Sequence, residues 1–106
     1  MSDDVLARLD EVLQARRTAD PDGSYTARLL GEGREAILRK LGEEAIETIL
    51  AGSAEDDDAV IHETADLWFH SLIMLNERGL SAAAVLSELE RRFGLSGLEE
   101  KAARTE

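Results

Sequence analysis

Asp58-Ala59-Val60-Ile61-His62-Glu63-Thr64-Ala65-Asp66-Leu67-Trp68-Phe69-His70-Ser71-Leu72-Ile73-Met74-Leu75-Asn76-Glu77-Arg78 reads as one helix, with apolar residues recurring at three and four. Wound at about 100° per residue, Val60, Ile61, Ala65, Leu67, Trp68, Phe69, Leu72, Ile73, Met74 and Leu75 occupy almost the whole circumference. A helix apolar on so many sides belongs inside a bundle or an oligomer core. Its interruptions are few and gathered: Glu63, Asp66, His70 and Glu77 fall in one strip about 60° wide. Burying an unpaired carboxylate costs several kcal/mol, so this seam must be ion-paired, held at a wet cleft or neutralised by a metal.

The preceding helix supplies a second set in Lys40-Leu41-Gly42-Glu43-Glu44-Ala45-Ile46-Glu47. With Ile37 at zero, an apolar arc of Ile37, Leu38, Leu41, Ala45 and Ile49 spans about 120°, and Glu44, Lys40 and Glu47 border it; Glu43 lies farther out. The turn between the helices is short, which makes them antiparallel neighbours. In such a hairpin Glu44 stands level with Asp66, and Glu47 with Glu63, about a midpoint at residue 55. One Glu-x-x-Glu is ordinarily a solvated helix face. Two matched pairs across one interface concentrate four negative charges, and hard divalent cations with oxygen ligands relieve that repulsion. Without cysteine the donor set favours Mg²⁺ or Mn²⁺ over zinc.

Working outward, every other long segment also reads helical, and the expected fold class is all-α: an antiparallel helical bundle completed by dimerisation. A first helix is expected over about Asp4 to Arg17, with Ser2 or Asp3 as its cap, before Asp20-Pro21-Asp22-Gly23 turns the chain. Ser24 caps a short helix through Leu30, ended by Gly31 and Gly33, and the next helix runs from about Arg34 to Ala51. Gly79 stops the Asp58 helix, Ser81 caps another from Ala82 to Phe93 that Gly94 stops, and the tail from 95 to 106 is a short helix at most. No linker or repeat divides residues 1–106, which read as one domain. Gly31-x-Gly33-x-x-Ala36 formally matches a dinucleotide fingerprint, but no strand pattern precedes it, so the glycines read as helix breakers.

The 106 residues carry a net charge of −11 and no cysteine. A nucleic-acid binder needs a basic stripe to release counterions, so that class is disfavoured. Disulfide frameworks, thiolate metal sites and cysteine nucleophiles are excluded. The acidic N-terminus and the lack of a long apolar run argue against a targeting segment or membrane span, and a cytoplasmic location is expected.

Glu44-x-x-Glu47 followed by Glu63-x-x-Asp66 resembles the metal signature of the all-α, MazG-type nucleoside triphosphate pyrophosphohydrolases. Within these, three stretches are similar to the phosphoribosyl-ATP pyrophosphatases of histidine biosynthesis: Gly23 to Leu30, Ile37 to Glu47, and Glu63 to His70. The likeness covers nearly the whole chain, through Arg78-Gly79-Leu80-Ser81 and into Ser96 to Ala102. It implies Mg²⁺-dependent hydrolysis of phosphoribosyl-ATP to phosphoribosyl-AMP and pyrophosphate, in a free-standing enzyme without a fused cyclohydrolase, and a homodimer or higher homo-oligomer. On this reading Glu44, Glu47, Glu63 and Asp66 are metal ligands, and Glu43 and Glu47 the catalytic carboxylates. Lys40 either meets phosphate or makes a plain i,i+4 ion pair. Ser24, Tyr25 and Thr26 offer hydroxyls and helix-terminal amides to substrate, unless Ser24 merely caps and Tyr25 joins the core. Lys101 and Arg104 reach phosphates of the same or a neighbouring subunit, or form a solvated end. His70 orients a ligand carboxylate or is an ordinary hydrogen-bonded core histidine. The competing functions are a MazG-type enzyme acting on another, aberrant nucleotide, and a non-catalytic helical dimer whose acids pair with Arg39, Lys40 or tail arginines.

Overall fold

The computed structural model describes residues 5–54 and 56–93, and among these it is all-α, without strands. Five helices follow in order: α1 (Val5–Arg16), α2 (Tyr25–Glu32), α3 (Arg34–Ser53), α4 (Asp57–Glu77) and α5 (Ala82–Arg91). Helices α3 and α4 form the most extensive pairing and are antiparallel: Arg34 reaches Glu77 at 2.9 Å near one end, and Thr48 Oγ1 reaches the Glu63 carbonyl at 3.0 Å near the other. The remaining helices pack on the end of this hairpin that holds the α3 N-terminus and the α4 C-terminus. The core there is Leu13 of α1, Leu29 of α2, Ile37 of α3, Leu72 and Ile73 of α4, and Ala82 of α5.

Local chemistry explains the helix starts. Ser24 is extended and its Oγ accepts the Ala27 N–H at 3.1 Å. Asp56 caps α4 by accepting the Ala59 N–H at 3.3 Å, and Asp57 and Asp58 add negative charge to its first turn. Helix α5 departs from expectation. Ser81 holds the cap position but its side chain makes no capping bond; instead the Asp10 carboxylate of α1 accepts the Ala82 N–H at 3.0 and 2.9 Å.

Two further differences follow from packing. Gly31 lies inside α2, and the break comes at Gly33, whose φ of 102° is open to glycine but strained for other residues. The apolar arc expected to face the core from α3 is only partly covered, since Ile37 is buried whereas Leu38 and Ile49 are exposed. The neighbours of α3 within this chain lie on the Ile37–Lys40–Glu44 side instead. The expected cap at Ser2 or Asp3, the stop at Gly94 and the tail from 95 to 106 fall outside the described residues.

Candidate metal centre

Toward the other end of the α3–α4 hairpin, the helices bring carboxylates together. Glu44, Glu47 and Glu63 each offer an oxygen, all within 4.8 Å of one another. Thr48, one turn beyond Glu44, links both helices of the hairpin: its Oγ1 is 2.8 Å from the Glu44 carbonyl and 3.0 Å from the Glu63 carbonyl, and its single proton serves both. Glu44 is only 5% exposed. Its Oε1 takes an ion pair from Lys40 Nζ at 3.2 Å, and this contact raises the Lys40 pKa, so the ammonium stays charged. Glu44 Oε2 and Glu63 Oε2 are buried and have no hydrogen-bond partner. Glu47, at the solvent edge, has its pKa raised, first by its contact with the Glu63 carboxylate and then by the charge of Glu44.

Asp66 joins the cluster through Glu63 rather than through Glu44. Asp66, Glu63 and His62 form a second group within 4.8 Å, with His62 Nε2 3.4 Å from Asp66 Oδ2. His62 was not singled out from the sequence. It precedes Asp66 by one helical turn and lies just outside the acidic strip on the helical wheel, a signal that a wider strip would have caught.

His70 is buried and ties α4 to α2. Its Nδ1 is 2.8 Å from the Asp66 backbone carbonyl, which can only accept, so Nδ1 carries the proton. Nε2 is then the acceptor, and the Tyr25 hydroxyl donates to it at 2.8 Å. Burial, and after it the charges of Glu44, Glu32 and Glu43 working against Lys40, raise the Tyr25 pKa, keeping the phenol a donor. Of the other residues singled out from the sequence, Ser24 and Thr26 are buried, and the Ser24 hydroxyl is committed to its cap. Glu43 is exposed, 3.8 Å from Lys40, and belongs to neither carboxylate group. Lys101 and Arg104 fall outside the described residues.

Buried oxygens without partners, all-oxygen donors on Glu44, Glu47, Glu63 and Asp66, and, among the described residues, one lysine against them fit a hard divalent cation. Residues 6–93, which include every one of these side chains, match the family model described as phosphoribosyl-ATP pyrophosphohydrolase. The chain belongs to the phosphoribosyl-ATP pyrophosphohydrolase family. It is 49% identical over 109 residues to a phosphoribosyl-ATP pyrophosphatase of Hydrogenovibrio crunogenus, covering 99% of this chain and 96% of that protein. A phosphoribosyl-ATP pyrophosphatase of Nitrosomonas eutropha is 50% identical over 105 residues, covering 99% and 90%. As in other pyrophosphohydrolases, the chemistry asked of a family member is cleavage of a phosphoanhydride, which needs neutralisation of phosphoryl charge and a placed water rather than covalent help from the protein.

Proposed function

We propose that this chain hydrolyses phosphoribosyl-ATP between the α- and β-phosphates, releasing phosphoribosyl-AMP and pyrophosphate, the second step of histidine biosynthesis, in the cytoplasm. The observation that carries the reading is the pair of buried, unpartnered oxygens of Glu44 and Glu63 inside a three-carboxylate cluster. Glu44, Glu47, Glu63 and Asp66 would hold Mg²⁺, with Mn²⁺ an acceptable substitute. Bound there, the ion supplies neutralisation of the triphosphate and acidification of water. Lys40, anchored by Glu44, keeps a positive charge beside the cluster in a chain whose net charge of −11 otherwise repels the substrate. Tyr25, its hydroxyl held by His70, leaves its ring partly exposed beside Lys40. Glu47 and Glu43 are the exposed carboxylates placed to take the proton of the attacking water, and the raised pKa of Glu47 suits it better to that role.

The active form is a homodimer or higher homo-oligomer. Ile46, Ile49, Leu50, Ile61 and Trp68 are each more than half exposed on α3 and α4, and large apolar side chains left to water in such number suit a subunit interface. Equilibrium sedimentation tests the assembly: a species of at least two chains is expected, and a strictly monomeric chain would contradict it. No described helix is long and apolar enough to cross a membrane. The activity is tested by incubating the chain with phosphoribosyl-ATP and Mg²⁺ and measuring pyrophosphate. Pyrophosphate and phosphoribosyl-AMP in equal amounts are expected; release no greater than in a chelated control rejects the assignment.

A further inference from the structure

A pocket of about 260 Å³ lies between α2 and the N-terminal half of α3, walled by Leu29 and Ala36 and ringed by Tyr25, Arg28, Arg39 and Lys40. None of Glu44, Glu47, Glu63 or Asp66 lines it, although Lys40 borders both places. Three cations here face only two acids, Glu32 and Glu43, in a chain that is strongly acidic as a whole. Of the three, Lys40 is paired with Glu44. Among the described residues Arg28 and Arg39 have no such partner. Arg39 precedes Glu44 and Glu47 by five and eight residues, which at helical rise puts it about 8 to 12 Å along α3 from the carboxylates.

The proposed substrate has two anionic ends, a triphosphate and a phosphomonoester, held apart by two riboses and a purine. Carboxylates with a divalent cation suit the first; unpaired guanidiniums suit the second, because their paired N–H groups grip phosphate without a metal. Small-molecule pockets ordinarily span about 300–1,000 Å³, and at about 260 Å³ this one is of a size for one arm of the substrate. We propose that the pocket is the subsite for the phosphoribosyl arm, with Arg28 and Arg39 holding its 5′-phosphate and thereby distinguishing phosphoribosyl-ATP from ATP. This rests on the functional reading above.

The test compares competitive inhibition of pyrophosphate release by phosphoribosyl-AMP and by AMP, which lacks only that arm. The wild-type chain is expected to bind phosphoribosyl-AMP more tightly than AMP. Arg28→Gln and Arg39→Gln should each raise the inhibition constant of phosphoribosyl-AMP about tenfold or more while moving that of AMP less than twofold, with Arg28→Lys recovering part of the loss. Equal weakening of both inhibitors would place the arginines on the polyphosphate side, and no weakening of either would leave them as surface cations; either result overturns the subsite. A wild-type chain that releases no pyrophosphate overturns the functional reading itself, whereas active wild type with unaffected variants removes the subsite alone.

Discussion

Helices α3 and α4 run side by side along their length, yet their two ends bury opposite kinds of side chain. Where α1, α2 and α5 pack on them, Ile37 and Ile73 are 1% and 0% exposed, an ordinary aliphatic core. Toward the turn, Glu44 is 5% exposed while Ile49 is 69% and Ile61 67% exposed. The apolar end follows the hydrophobic effect; the acidic end runs against it, and among the described residues Lys40 is the cation paired with Glu44 there. A covalently continuous pair of helices lets one end supply the stability that the other spends on a charged site.

The contrast is most strongly challenged by neutralising a ligand. Glu63→Gln should lower pyrophosphate release about 10²- to 10³-fold, comparable to deleting a principal electrostatic group in an active site, measured at saturating Mg²⁺. Unchanged turnover would remove the acidic end's purpose. At the apolar end, Ile73→Ala should cost about 2–5 kcal/mol in urea unfolding, because Ile73 is fully buried and leaves a cavity. The same truncation at exposed Ile49 should stay within about 0.5 kcal/mol for the dissociated chain and act on self-association instead. Equal costs at the two sites would erase the distinction.

A pH series sharpens it. The folded-state pKa of Glu47 is raised above 4.5, so its charged form destabilises the metal-free chain fully above the raised value; this cost fades as pH falls through it and is gone below 4.5. Glu88 has the opposite sign. Contacts with Arg91 and then Arg92 lower its pKa to about 2, so its stabilisation is present above 4.5 and lost as pH falls toward about 2. Metal-free Tm should therefore rise as pH drops from 7 toward the Glu47 range and fall again below 4.5, while Mg²⁺ stabilisation weakens as protons compete for Glu47. Asp10→Ala should cost about 1 kcal/mol, read as faster hydrogen exchange at Ala82 once its cap is lost.

Much of this was readable from residue spacing. The hairpin register set Glu47 opposite Glu63, and those carboxylates meet; Glu44's place beside Ile37 on the wheel foretold its burial. Asp66, expected level with Glu44, is grouped instead with His62 and Glu63. A wheel reports which residues share a face and not which face has a neighbour, so Leu38 and Ile49 lie on the apolar arc although this chain leaves them exposed. Contacts between distant segments leave no periodic trace. Asp10 capping α5 and Tyr25 donating to His70 depend on how helices dock, and the Arg28–Arg39 pocket exists only because α2 lies against α3.

The central claim, that the acidic end is built around a divalent cation, is tested most directly by thermal unfolding of the wild-type chain and Glu63→Gln, each with and without Mg²⁺ at neutral pH. Without metal the variant should melt above wild type, because one repelling charge is gone, and saturating Mg²⁺ should raise the wild-type Tm by several degrees while leaving the variant nearly unmoved. A wild-type Tm indifferent to Mg²⁺, with Glu63→Gln melting at or below it, would contradict the account.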